Sequence, residues 1–260
     1  KNRRAAIIFY AFVARYLPFF LLEFLFAKSC DVNETAAILF SSGSEGRPKG
    51  IELSHRNLLS NVHQVASVFS LQEDDVVMNC LPLFHAFGLT VTTLMPLLKG
   101  VPMVCYPDPT NALAIAKLIF RNKVSLFCST SSFLNLFVKN PKILGMMLSS
   151  LRLVVAGAEK LSPAVYNGFK EKFHLTVYEG YGATEVAPVA SCNLPDQLSP
   201  EDWHIYQAHK PGSVGLPLPG CAFRIVEPQS LQELPIDEEG LILIGGTQVM
   251  KGYLQDPERT

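Results

Sequence analysis

Ten consecutive residues, Ser41-Ser42-Gly43-Ser44-Glu45-Gly46-Arg47-Pro48-Lys49-Gly50, carry the densest chemistry in the chain. Glycine lets neighbouring backbone N–H groups turn toward one point, and serine hydroxyls add donors. Arg47 and Lys49 bring positive charge to the same stretch. The natural guest of such a loop is a polyphosphate. It is not a Walker A loop, which needs Gly-x-x-x-x-Gly-Lys-Ser/Thr. Counted from Gly43, the sixth position is Pro48, and Lys49 is followed by Gly50 and Ile51. A phosphate loop of another kind fits this composition, and so does a plain surface turn.

A second cluster is Glu179-Gly180-Tyr181-Gly182-Ala183-Thr184-Glu185. Tyr181 between two glycines is an aromatic plate with open backbone around it, suited to stacking on a flat base. Thr184 and Glu185 add a hydroxyl and a carboxylate. A carboxylate beside polyphosphate needs a cation between them, and magnesium binds through one or two carboxylates plus phosphates. His85, between Phe84 and Ala86-Phe87, reads either as a structural histidine or as a gate for an apolar acid. The other histidines show no metal spacing, and no Gly-x-Ser-x-Gly elbow points to a serine hydrolase.

The elements that must position these groups alternate. Strands are expected at Ala36–Phe40, Val76–Leu81, Val101–Tyr106, Val124–Cys128, Leu151–Ala156 and Leu175–Glu179. Helices are expected from Ser54 as N-cap to Phe69, then over Phe87–Leu98, Asn111–Arg121, Ser131–Val138 and Pro163–Lys172. Apolar strands alternating with helices predict an α/β fold with a parallel sheet covered on both faces. Ligands of such sheets bind beyond the carboxyl ends of the strands. The segments 41–50, 82–88, 156–160 and 179–185 all follow expected strands. The expected organisation is an apolar linker or membrane-facing helix (1–30), an α/β part (31–193), a polar loop (194–210) and a β-rich annex (211–260).

With 260 residues, 48% of them hydrophobic, the chain can bury a large core. A net charge of −1 argues against a nucleic-acid partner. The six cysteines lack Cys-x-x-Cys spacing and read as buried thiols of a reducing cytoplasm. Residues 5–27 are long and apolar enough to suggest a membrane span, but Arg15, Pro18 and Glu23 interrupt them. A kinked helix pair and an in-plane membrane contact, with Lys1, Arg3 and Arg4 at the headgroups, both remain open. The second would bring the protein to the inner face of the cell membrane.

Taken together, these segments resemble the adenylate-forming superfamily of acyl-CoA synthetases, peptide-synthetase adenylation domains and luciferases. The resemblance rests on Ser41–Gly50, Tyr181–Glu185, Gly240–Gly246 and Gly252-Tyr253, in that order. Leu53-Ser54-His55-Arg56-Asn57-Leu58, Leu81-Pro82-Leu83-Phe84-His85 and Ala156-Gly157-Ala158-Glu159-Lys160-Leu161 look similar to one branch, the acyl–acyl-carrier-protein synthetase part of bifunctional 2-acylglycerophosphoethanolamine acyltransferases.

The resemblance implies a layered adenylation domain with a β-rich annex, using ATP and Mg2+. It implies that Ser41, Ser42, Gly43, Ser44, Glu45, Gly46 and Lys49 grip phosphates. Gly157, Ala158 and Glu159 would edge the adenine, with Tyr181 and Gly182 against it. Thr184 would touch the α-phosphate, Glu185 would hold magnesium, and His85 would meet the acyl carboxylate. Thr184, Glu185, Lys49 and His85 are then the catalytic set. The implied reaction makes an acyl-adenylate from a fatty acid and passes it to acyl carrier protein or, alternatively, to coenzyme A. A rival of another class is a non-catalytic scaffold docking through residues 1–27. The superfamily's small carboxyl-terminal domain and its ribose-binding Asp have no counterpart in these 260 residues, so weak adenylation is expected of this stretch alone.

Overall fold

The computed structural model describes residues 2–26, 31–42, 48–199 and 201–260, and the chain divides into two units, Lys1–Glu34 and Thr35–Thr260. The first is a helix pair, α1 (Asn2–Tyr16) and α2 (Phe19–Phe26). Pro18 separates them, because it lacks a backbone donor and disfavours helical geometry in the residue before it. Phe9, Phe12, Phe20 and Phe24 are exposed, and Tyr10 meets Phe26 edge-on at 6.0 Å. No helix among the described residues is long and apolar enough to cross a membrane.

The second unit opens with a hairpin. Strands β1 (Thr35–Ser42) and β2 (Pro48–Ser54) pair antiparallel, with Ser41 opposite Lys49 and Ser42 opposite Pro48. This corrects the expectation that the Ser/Gly-rich stretch leads from a strand of the main sheet to a helix: the strands on either side of it pair with each other in a separate sheet. Pro48 and Gly50 disguised β2 as loop. Its period-two alternation decides the matter, with Ile51 and Leu53 both fully buried. Ser54 then caps α3 (His55–Val68): its hydroxyl accepts from the Asn57 N–H at 3.1 Å, and the Asn57 side chain accepts from the Ser54 N–H at 2.9 Å.

The alternating region follows as β3 (Val77–Asn79), α4 (Ala86–Leu89), α5 (Met95–Lys99), β4 (Met103–Cys105), α6 (Ala112–Asn122), β5 (Leu126–Ser129), α7 (Ser131–Lys139), β6 (Leu153–Ala156), α8 (Pro163–Phe173) and β7 (Val177–Gly182). One helix expected over Phe87–Leu98 is instead α4 and α5 joined by a π-turn, Thr90–Leu94. Thr92 and Thr93 both return their hydroxyls to the Gly88 carbonyl, at 3.1 and 2.9 Å, which draws the backbone off the α-helical path.

The remaining strands are β8 (Val189–Cys192), β9 (Gln197–Leu198), β10 (Ile205–Tyr206), β11 (Leu216–Pro217), β12 (Cys221–Val226), β13 (Leu241–Gly246) and β14 (Gly252–Tyr253). The main sheet runs β11-β8-β7-β6-β5-β3-β4. Its β3 to β7 members are parallel, as expected, but β8 and β11 add an antiparallel edge. The stretch expected as a polar loop holds the small hairpin β9–β10. Strand β14 joins β2 rather than β12 or β13.

Helices cover both faces of the main sheet. Phe127, Val154 and Val177 pack with α6, α7 and α8, while Leu126, Leu153 and Val155 pack with α3. Beneath this core lies a buried ion pair. Asp75, whose side chain is 1% exposed, accepts from Arg152 Nε at 2.8 Å, the Ser125 hydroxyl at 2.6 Å and the Gln72 N–H at 2.8 Å. Burial alone would raise its pKa, but the Arg152 and Ser125 hydrogen bonds outweigh burial and hold it below the usual range. That contribution is present above the unfolded carboxylate pKa and is lost as pH falls through the lowered folded value. Arg152→Leu should cost about 3 kcal/mol or more, because it strands a buried carboxylate. Urea unfolding at pH 7 measures it, and the variant's acid arm of stability against pH should be shallower.

Candidate active site

A cavity of about 560 Å³ opens beyond the carboxyl ends of the parallel strands. That volume is typical of small-molecule sites. Small residues open the wall at two strand ends: Gly157 follows β6, and Gly180 and Gly182 are among the last three residues of β7. A Cβ on Gly157 would sit 3.1 Å from the Phe87 ring, and one on Gly182 would overlap the Pro188 carbonyl. Ala158 next to this wall has φ of 68°, a left-handed turn that is strained for alanine.

The structure brings His85, Gly157, Ala158, Glu159, Tyr181, Gly182 and Thr184 together on this one cavity. His85 lies at the N-terminus of α4, its ring against Phe84 with centroids 4.8 Å apart. Thr184 opens a 3-10 turn, Thr184–Val186, and its hydroxyl has no partner among the described residues. Tyr181 meets Phe223 edge-on at 6.4 Å. Glu159 is already engaged: its carboxylate accepts the Ser132 N–H at 2.5 Å and the Ser132 hydroxyl at 3.0 Å. Burial pushes its pKa up, but these bonds at the N-terminus of α7 prevail and lower it.

Lys49 and Glu185 stand off the cavity wall and meet each other's surroundings through Tyr253. The Tyr253 hydroxyl donates to Glu185 Oε1 at 3.0 Å, and Lys49 Nζ lies 5.3 Å from the centre of the Tyr253 ring. Burial and the hydrogen bond to Glu185 both raise the phenol's pKa. Ser41 and Ser42 end β1 beside Lys49, whereas Gly43, Ser44, Glu45 and Gly46 lie outside the described residues.

Sequence reasoning missed several contributors. Thr130 caps α7 through the Phe133 N–H at 3.3 Å, a Thr-before-helix signal that was there to be read. The apolar floor of Phe69, Leu81, Phe133, Val155 and Cys192 is assembled from scattered segments, and no local pattern announces it. The Tyr253 contact to Glu185 is equally non-local. Of the cysteines expected to be buried, Cys80, Cys128 and Cys192 are, with burial pushing Cys80 and Cys192 up to about 12; Cys105 is exposed, and Cys30 lies outside the described residues.

The donor set suits a nucleotide with a hard cation: an unpartnered hydroxyl at Thr184, an aromatic plate at Tyr181, a lysine at the hairpin base and one carboxylate at Glu185. No group of three metal-ligating side chains gathers among the described residues. A cation here would lean on Glu185, phosphate oxygens and water, the usual habit of Mg2+.

Residues 22–254 match the model of the AMP-binding enzyme family, and the chain belongs to that family, within the adenylate-forming superfamily. It is 35% identical over 234 residues to the protein named "Probable 4-coumarate–CoA ligase 1" of Dictyostelium discoideum, covering 88% of this chain and 40% of that protein. It is 30% identical over 232 residues to a long-chain-fatty-acid–CoA ligase of Bacillus subtilis (strain 168), covering 88% and 39%. The crystal structure of ATP-bound MatB from Rhodopseudomonas palustris superposes with a TM-score of 0.77 at 29% identity, over 90% of this chain and 44% of that one. The chain thus spans about two fifths of the length of these relatives.

Gly182→Ala should destabilise the fold by about 3 kcal/mol or more, since the clash is with backbone that cannot rotate away. Thermal melting against the wild type checks this. Gly245→Ala is the control, because a Cβ there meets nothing within 4 Å.

Proposed function

We propose that the protein activates a fatty acid as its acyl-adenylate and passes the acyl group to a thiol. The observation that carries this is the cavity itself, an apolar floor under a rim of His85, Tyr181 and Thr184, with Glu185 and Lys49 beside it. In the reaction, a carboxylate oxygen of the acid bonds to the α-phosphorus of ATP. The bond from that phosphorus to the bridging oxygen breaks, and pyrophosphate leaves. The thiol sulfur then bonds to the acyl carbon, and AMP leaves.

Both first-step reactants are anions, so their approach has to be offset by positive charge and fixed donors. Bound magnesium would supply charge neutralisation between the phosphates and the incoming carboxylate. Glu185 is the residue that would hold it. Lys49, Ser41 and Ser42 at the hairpin base, with the Ser/Gly turn beyond them, bind the β- and γ-phosphates. Thr184 donates to the α-phosphate. Tyr181 stacks on the adenine, whose edge meets Gly157, Ala158 and Glu159. His85 orients the acid's carboxylate where the rim gives way to the floor.

The floor of Phe69, Leu81, Phe133 and Val155 favours an alkyl chain. The Bacillus relative's name points the same way, and the Dictyostelium relative's name offers an aromatic acid instead. The likeness of residues 53–58, 81–85 and 156–161 to one branch favours acyl carrier protein as acceptor, in a phospholipid-acylation setting, over coenzyme A. A second reading concerns location. The exposed aromatic side chains of α1 and α2, with Arg3, Arg4 and Arg15 in the same segment, favour in-plane contact with an anionic lipid surface at the cytoplasmic face.

ATP–pyrophosphate exchange by the full-length protein, with palmitate, decanoate, acetate, 4-coumarate and amino acids, tests the activity. Exchange with the long acids alone is expected. Exchange with 4-coumarate alone overturns the choice of acid, and none at all returns the balance to a scaffold. Glu185→Ala should lower exchange on the order of a hundredfold or more; an unchanged rate sinks its assignment. Co-flotation with anionic vesicles but not with neutral ones is the expectation for α1 and α2.

A further inference from the structure

The segment 250–254 is stapled to both halves of the phosphate-binding machinery. On one side the Met250 N–H donates to the Glu185 carbonyl at 2.8 Å. On the other, β14 pairs with β2, the Lys251 N–H donates to the Glu52 carbonyl at 2.9 Å, and the Leu254 N–H donates to the Gly50 carbonyl at 2.7 Å. Tyr253 lies between these anchors, half-buried. Its hydroxyl takes Oε1 of Glu185, and Oε2 has no partner among the described residues. Its ring carries the Lys49 ammonium.

We propose that Tyr253 is a positioning residue that couples the cation carboxylate Glu185 to the phosphate lysine Lys49 through a single side chain. The phenol occupies one carboxylate oxygen and turns the other toward the cation. The ring face holds Lys49 at the base of the hairpin, as a cation over an aromatic quadrupole is held. A group that orients a metal ligand in this way typically changes metal affinity by about 10- to 100-fold when removed. The inference rests on the nucleotide reading of the site.

The two functions of the side chain can be separated in the full-length protein. Tyr253→Phe keeps the ring and removes the hydroxyl; Tyr253→Leu removes both. Mn2+ binding to the complex with a non-hydrolysable ATP analogue is followed by electron paramagnetic resonance. Metal-free binding of the same analogue is followed by calorimetry in EDTA. Tyr253→Phe should weaken Mn2+ roughly tenfold and leave metal-free nucleotide binding and the KM for fatty acid unchanged. Tyr253→Leu should weaken both Mn2+ and metal-free nucleotide. In a Glu185→Gln background, Tyr253→Phe should add little to the loss of Mn2+ affinity.

Unchanged Mn2+ affinity in Tyr253→Phe, with the wild type binding normally, overturns the coupling and leaves the proposed reaction standing. Equal loss of metal, nucleotide and fatty acid, together with a lowered melting temperature, also overturns it, since that is a purely structural role. A wild-type protein that binds no nucleotide overturns both.

Discussion

Three amides on one face of α3 hold together segments that no single sheet connects. Asn57 Nδ2 donates to the Thr247 and Val249 carbonyls, at 2.9 and 2.6 Å. Asn61 exchanges two bonds with the Val189 backbone, at 2.7 and 3.1 Å. Gln64 reaches the Pro219 carbonyl at 2.9 Å. All three are buried, so each bond lost would leave a polar group without water to replace its partner. The neighbouring face of the same helix packs Val62 and Val65 into the main core, with Phe69 just past its end. One helix therefore ties the main sheet at Val189 to residues 247 and 249, just before the strand that carries Tyr253. The site can be accurate only because this helix is held on both sides.

The site divides by chemistry along the same line. Strands β6 and β7 end in alanine and glycine, which leaves room for a flat ligand beside an apolar floor. The hairpin sheet, made of β1, β2 and β14, contributes Lys49, the serines and Tyr253. The lysine thus comes from one sheet, and the receptive cavity with Glu159 and the adjoining Glu185 from another. On the proposed reading, phosphates would meet the lysine at the hairpin without carrying it into the apolar floor, where its desolvation would be costly.

Much of the main sheet was legible because its signals are local. Leu153–Ala156 is a run of four apolar residues, and a strand of that kind has to be covered on both faces. Ser54 announced α3 as a helix cap. Thr184 and Glu185 stood out because a hydroxyl and a carboxylate just after a Gly-Tyr-Gly stretch need no distant partner to be noticed. Strand β2 was hidden, since proline and glycine masked its alternation. Strand β8 was hidden too, because it is short and follows Pro188 directly. The floor of the cavity and the Tyr253 bridge depend on side chains that meet only through the tertiary fold. Tyr253 was visible as a family motif, while its partner Glu185 was visible as a candidate cation ligand; nothing in the linear order ties the two together.

Strand β14 also sets the order in which the molecule can assemble. Asn57 bonds a carbonyl 192 residues further along the chain, and β2 pairs with β14 across a comparable separation. Contacts of such long range form late, because the entropy of closing the loop must be met before they repay it. As the chain leaves the ribosome, the parallel strands can gather around α6, α7 and α8 well before residue 250 is made. The hairpin, with its lysine and serines, pairs locally and early, but its anchoring to β14 has to wait. A nascent chain would therefore shape its pocket before Tyr253 arrives to link Lys49 with Glu185.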